Sequence, residues 1–230
     1  MVEVFYSDGN EDTMGGKKYN DVMLILDVYE PTDLGAFVAS QTPGPYFTTL
    51  FHQGAQAVKF LHDCSIIHRD LKLANFLVRI RPKPHIYLTD FGHSILLKDT
   101  RSNVKAREDH QKGTISYLPP EILALKATEA QKGSWDRPGA WDFASDVFAY
   151  GIVGFKMFYK ESDKDWPMID RRAHEALTVV LKKDATDISD LLLEMVVSDP
   201  VERITMRDLL LKSFWPEPVT PLRSYKRKVF

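Results

Sequence analysis

Between Phe143 and Tyr159 the chain carries apolar side chains on almost every face that a helix would present, among them Val147, Phe148, Tyr150, Ile152, Val153, Phe155, Met157 and Phe158. A helix that is apolar all round has no side to offer water, so it belongs at the centre of a core. It needs other helices around it, and their signals are present. Over residues 48–61 apolar residues fall at Leu50, Phe51, Gly54, Ala57, Val58 and Leu61, a helical stripe. A further amphipathic stretch uses Ile188, Leu191, Leu192, Met195 and Val196, and another opens at Thr205 with Asp208 three residues on, the spacing of a capping box.

Strand signals are short. Val2–Tyr6 and residues 22–28 read as strands on either side of a polar loop, residues 7–20, which contains Gly9, Gly15 and Gly16. Residues 76–78 and 86–88 read as a second pair, separated by Arg81-Pro82-Lys83-Pro84, whose prolines suit a turn. Residues 93–142 read as polar and irregular, with Pro119 and Pro120 in tandem. Connections of that length are usually functional or disordered. Together these signals predict an α+β fold that is mainly helical.

The chemistry concentrates in Ile67-His68-Arg69-Asp70-Leu71-Lys72-Leu73-Ala74-Asn75, followed by Asp90-Phe91-Gly92. Phosphoryl transfer from ATP needs an acceptor for the substrate hydroxyl proton, oxygen ligands for magnesium, and cations against the developing charge. Asp70 suits the first role, Asn75 and Asp90 the second, and Lys72 the third. A hairpin built from 76–78 and 86–88 would return Asp90 to the side of Asn75. Two hard-oxygen side chains would then converge on a metal, as magnesium requires.

These segments resemble the protein kinase family, whose catalytic loop reads H-R-D-x-K-x-x-N and whose metal loop reads D-F-G. The resemblance extends to Gly113-Thr114-Ile115-Ser116-Tyr117-Leu118-Pro119-Pro120-Glu121, similar to the substrate-docking loop that ends in A-P-E, with Pro119 in place of Ala. It extends also to Asp146-Val147-Phe148-Ala149-Tyr150-Gly151, similar to the D-V-W-S-x-G start of the family's central helix. It implies that Asp146 binds the catalytic-loop backbone and that Arg203 pairs with Glu121. Lys72 together with Thr114 resembles the Ser/Thr branch, and the docking loop sets the chain apart from small-molecule phosphotransferases. The implied cofactors are ATP and magnesium, and the implied substrate is a protein carrying Ser or Thr. In this family Arg69 is usually held by a phosphorylated residue; here His110 stands at that position, and the neighbouring carboxylates of Glu108 and Asp109 are the expected substitutes. Ser102 or Thr100, further up the loop among basic residues, are candidate phosphosites by a different route.

No G-x-G-x-x-G occurs in the sequence, and no V-A-I-K-type lysine precedes the catalytic loop. Aligned with the family, Val2–Tyr6 and residues 22–28 are its fourth and fifth strands, so most of the small lobe is expected to be missing. Residues 1–30 would be the remnant of that lobe with its hinge, residues 31–215 the large lobe, and residues 216–230 a basic, proline-containing tail. In this alignment Leu26 is the gatekeeper, Asp27 and Tyr29 belong to the hinge that meets adenine, Asp33 faces the ribose, and Leu77 is the adenine floor. Without the covering loop the chain is expected to be a weak kinase by itself, or to rely on a regulatory partner for the missing contacts. The alternative is a pseudokinase or scaffold that uses the large lobe as a binding module.

Composition narrows the setting. A net charge of -2 gives no positive field to recruit nucleic acid or an acidic membrane surface. No run reaches the about 18 apolar residues that span a bilayer, and the first residues do not read as a secretory signal. Cys64 is the single cysteine, which excludes an internal disulfide and fits a reducing compartment. It is expected to be a small buried apolar residue. Neither nucleic acid nor membrane is expected as a partner, and the location is expected to be cytoplasmic or nuclear.

Overall fold

The computed structural model describes residues 2–6, 22–26, 32–41, 43–79, 84–97, 113–129, 141–161 and 171–215. The chain divides into two units, Met1–Pro31 and Thr32–Phe230. In the first unit β1 (Val2–Tyr6) and β2 (Val22–Leu26) pair antiparallel, with Val2 opposite Leu26 and Tyr6 opposite Val22. The loop predicted over 7–20 lies outside the described residues, as do Asp27 and Tyr29, the segment carrying Thr100, Ser102, Glu108, Asp109 and His110, and the tail from residue 216.

The second unit is α+β and mainly helical. Asp33 opens α1 (Leu34–Ser40), its Oδ1 accepting the Ala36 N–H at 2.8 Å as an N-cap. Pro45 starts α2 (Pro45–Asp63), where its missing N–H would be unpaired anyway. The α2 stripe buries Phe47, Leu50, Phe51, Ala55, Val58 and Leu61. Gly54 belongs to that stripe for a steric reason: a Cβ there would collide with the Tyr150 hydroxyl. Tyr150 stacks on Phe51 with centroids 4.8 Å apart and donates its hydroxyl proton to the Phe51 carbonyl at 2.6 Å.

After α2, β3 (Ile66–Ile67) leads into the catalytic segment. The predicted hairpin is present as β4 (Phe76–Arg79) and β5 (His85–Leu88), antiparallel with Phe76 opposite Leu88. β6 (Ile95–Leu96) returns to pair with β3. Part of the stretch read as irregular is therefore regular. It also contains α3 (Pro120–Glu129), because Pro120 serves as the first residue of a helix rather than as a breaker.

The apolar segment forms α4 (Phe143–Tyr159), the predicted central helix. Asp142 and Ser145 cap it reciprocally, each side-chain oxygen accepting the other's backbone N–H. Val147, Phe148, Ile152, Val153, Phe155 and Met157 are all buried. Gly154 lets α2 and a later helix come close, since a Cβ there would stand 2.7 Å from Phe51 and 2.6 Å from Leu192. The remaining helices are α5 (Arg171–Asp184), α6 (Asp187–Met195) and the single turn α7 (Met206–Leu209). Thr186 and Ser189 form the capping box of α6, and the Thr205 hydroxyl accepts the Asp208 N–H at 3.1 Å to cap α7.

Two expectations meet different outcomes. Arg203 and Glu121 form the implied bidentate pair, Nη1 to Oε1 at 2.9 Å and Nη2 to Oε2 at 3.1 Å. Arg203 also donates to the carbonyls of Ala144 and Val197, which ties the α3 start to the α4 start. Cys64, by contrast, is half-buried rather than core, because it is the C-cap of α2, where the chain leaves the helix.

Candidate active site

The catalytic segment is an irregular loop held from below by the central helix. Asp146, in the first turn of α4, accepts the His68 N–H at 2.8 Å and the Arg69 N–H at 2.9 Å, while His62 of α2 lies 3.2 Å from its Oδ2. Arg69 adopts φ +68°, a left-handed conformation that a non-glycine residue keeps only when its surroundings enforce it. Its guanidinium donates to the His93 carbonyl and stands 5.9 Å over the Trp141 ring. His68 is buried; its Nε2 faces the Thr89 carbonyl at 3.0 Å, and its Nδ1 faces the Asp70 N–H at 3.3 Å. A carbonyl only accepts and an amide N–H only donates, so Nε2 carries the proton. The ring thus links the loop to the residue just before Asp90.

Asp70 is the convergence point. Its Oδ1 accepts the Thr114 N–H at 2.9 Å and the Thr114 hydroxyl at 2.7 Å. Its Oδ2 accepts from Lys72 Nζ at 2.8 Å and from the Asn75 amide at 3.2 Å. Lys72 also donates to Thr114 Oγ1 at 3.1 Å, which closes a triangle of base, cation and hydroxyl. Burial pushes the Asp70 carboxyl up, but hydrogen bonds from Lys72 and Thr114, the Lys72 charge and the Asn75 amide together outweigh it, so its pKa lies below the usual carboxylate value.

Asn75 is 5% exposed and sits in a tight turn (Leu73–Asn75) directly before β4. Both its amide contacts go to Asp70, one to the carbonyl at 2.7 Å. Among the described residues, no group donates to its Oδ1. The hairpin then returns the chain to it: the Thr89 N–H and hydroxyl bind the Asn75 carbonyl at 2.9 and 3.1 Å. Asp90 follows immediately, at φ +60° and exposed, and among the described residues only the Gly92 N–H lies near its Oδ1, at 3.4 Å. The pair offers two hard oxygens with open valences. Among the described residues no group of three or more His, Cys, Asp or Glu could hold a metal by itself. The donor set therefore fits a cation such as magnesium that shares its shell with phosphate oxygens and water.

Of the other expected nucleotide contacts, Asp33 and Leu77 belong to the second unit. Leu77 is half-buried in β4, opposite Tyr87 and bridged to Asp33. Asp33 has one carboxylate oxygen committed to capping α1. Leu26 ends β2, in the first unit. A cleft of about 340 Å³ is lined by Asp33, Gly35, Lys72, Leu73, Tyr117 and Lys160 among others. Leu77, Asn75 and Asp90 are not on its walls.

Three contributors escaped the sequence reading. His62 completes the set around Asp146, His93 places Nδ1 3.9 Å from Asp70 Oδ2, and Lys156 lies under the docking loop. A polar residue inside an apolar helix, as Lys156 is, was the only available signal.

The geometry agrees with comparisons to known proteins. The family described as protein kinase domain matches residues 11–215. An Aurora kinase of Dictyostelium discoideum is 28% identical over 158 residues, covering 69% of this chain and 36% of that protein. The Serine/threonine-protein kinase SAPK4 of Oryza sativa subsp. japonica is 29% identical over 186 residues, covering 77% and 46%. The Meiosis-specific serine/threonine-protein kinase mek1 of Schizosaccharomyces pombe is 27% identical over 183 residues, covering 77% and 39%. The chain thus spans less than half the length of these relatives. With residues 11–215 matched, and with Asp146 holding the backbone of the loop that carries Asp70 and Asn75, the chain belongs to the protein kinase family.

Proposed function

We infer that this chain carries the catalytic and substrate-docking portion of a Ser/Thr protein kinase, acting on ATP and on protein Ser/Thr hydroxyls. The observation that carries the reading is the Asp70 carboxylate, held ionised between Lys72 and Asn75 and already accepting an aliphatic hydroxyl, that of Thr114, at 2.7 Å. In the reaction the substrate oxygen forms a bond to the γ-phosphorus, the bond from that phosphorus to the bridging oxygen breaks, and ADP leaves. The substrate proton goes to Asp70. Lys72 offsets negative charge beside the acceptor. Asn75 and Asp90 would hold magnesium, which supplies charge neutralisation on the phosphates when bound. Leu26, Asp27, Tyr29, Asp33 and Leu77 remain the proposed adenosine contacts. A cytoplasmic or nuclear location fits the single cysteine and the low net charge.

Transfer of labelled γ-phosphate from ATP to Ser/Thr peptides tests the reading, with Asp70→Asn as the control. Equal transfer by the control and the parent chain contradicts it.

The alternative reading is a pseudokinase or scaffold that uses the large lobe as a binding module. Nucleotide binding that is indifferent to magnesium would favour that reading.

A further inference from the structure

Lys156 is 0% exposed, in the last turn of the central helix, between the buried Phe155 and Met157. Burying an ammonium costs stability unless it is compensated, and an apolar side chain of similar volume is often the more stable choice at such a site. What the ammonium touches therefore matters. Its Nζ stands 4.9 Å from the centroid of the Tyr117 ring, a cation–π contact inside the protein, where such contacts are strongest.

Tyr117 occupies the turn Ile115–Tyr117 that follows Thr114, and its N–H donates to the Thr114 carbonyl at 2.9 Å. Its hydroxyl accepts the Leu73 N–H at 3.5 Å. The ring is thus braced from α4 on one side and meets the catalytic loop on the other. Thr114 and Lys72, which hold Asp70, flank it along the two strands of chain. Tyr117 and Leu73 also form part of the wall of the cleft beside Lys72.

We propose that Lys156 is a positioning residue: through Tyr117 it fixes the docking loop and the Leu73 turn against each other, so that Thr114 and Lys72 meet Asp70 together. The catalytic consequence rests on the kinase reading, but the physical link does not.

The test is amide hydrogen exchange on the folded 230-residue chain, comparing Lys156→Met and Lys156→Arg with the parent. Methionine keeps the volume and removes the charge. The expected result is exchange about tenfold faster at the Thr114, Tyr117 and Leu73 amides. The His68 and Arg69 amides, bound to Asp146, stay protected, and arginine restores the parent pattern. Unchanged exchange at the three amides overturns the proposal, and so does a uniform rise that includes His68 and Arg69. If Lys156→Met does not fold, Tyr117→Leu must produce the same local loosening, and its failure to do so also overturns the proposal. Because exchange needs no turnover, a failed kinase assay leaves this result readable on its own.

Discussion

Asp146 holds Arg69 by its main chain, with Oδ1 accepting the N–H at 2.9 Å while the residue sits at φ +68°. The same carboxylate takes the preceding His68 N–H at 2.8 Å. One side chain on the central helix thereby fixes a backbone conformation that would otherwise relax, and Asp70 is the next residue along. Asp146→Ala leaves two buried amide donors unpaired, at roughly 1–3 kcal/mol each. A loss of about 3 kcal/mol in urea unfolding is expected, and a loss below about 1 kcal/mol would show that water or a neighbour replaces the carboxylate.

The Arg203–Glu121 pair predicts a pattern rather than a single number. Glu121→Leu alone strands a guanidinium that is almost fully buried, with an expected cost of about 3–5 kcal/mol. Arg203→Met alone strands the less buried carboxylate and also frees the Ala144 and Val197 carbonyls. The double substitution is expected to cost less than the sum of the two, and additive losses in a double-mutant cycle would contradict the coupling.

Asp70→Asn preserves an acceptor for Thr114 and removes the charge that Lys72 meets. Phosphotransfer is expected to fall by about 10²–10⁴-fold, the usual contribution of a positioned base, while the circular dichroism of the folded chain is unchanged. The substitution also has a pH signature. Because the folded pKa of Asp70 lies below its ordinary value, the ionised group contributes stability above that value, and the contribution disappears as pH falls through the folded pKa. Acid unfolding of Asp70→Asn is therefore expected to be less steep than that of the parent chain; identical curves would contradict the assignment.

His52 gives the opposite dependence. It stacks on Trp215 with centroids 4.8 Å apart, and burial lowers its pKa from the usual 6.5. Below that value the unfolded chain binds a proton that the folded chain resists, so stability falls as pH drops from about 6.5 toward the folded pKa. His85, lowered by burial and by the Arg79 charge, adds to the trend. His52→Phe keeps the stack and is expected to reduce the loss of melting temperature between about pH 6.5 and 5. An unchanged loss would rule out this histidine as its source.

The sequence disclosed what local chemistry dictates. The α4 limits follow from an apolar run closed by a cap, and the 76–88 hairpin follows from two β-rich runs around prolines. The partners of Asp146 and Arg203 came from family resemblance and met their expected atoms. The sequence did not disclose features decided by tertiary contact. Residues Pro120–Glu129 show little amphipathic contrast, and tandem prolines looked like a break. α5 hides its core positions, His174, Leu177 and Leu181, in a charged sequence. Lys156 could be recognised as buried only once the Tyr117 ring was seen above it. The commitment of Asp33 Oδ1 to a helix cap was likewise invisible to a count from short strands.

The most direct measurement of the central claim is nucleotide affinity with and without magnesium, for the parent chain and for Asp90→Asn. Asparagine tolerates the left-handed backbone at φ +60° and keeps the side-chain shape, so the change removes charge with little strain. Asp90 is exposed and has few protein contacts, so folding is expected to be unaffected. If Asn75 and Asp90 hold the metal that meets the phosphates, magnesium tightens binding to the parent chain. That gain should fall at least about tenfold in the variant, while metal-free affinity stays the same. The same magnesium-dependent gain in both proteins would contradict the site.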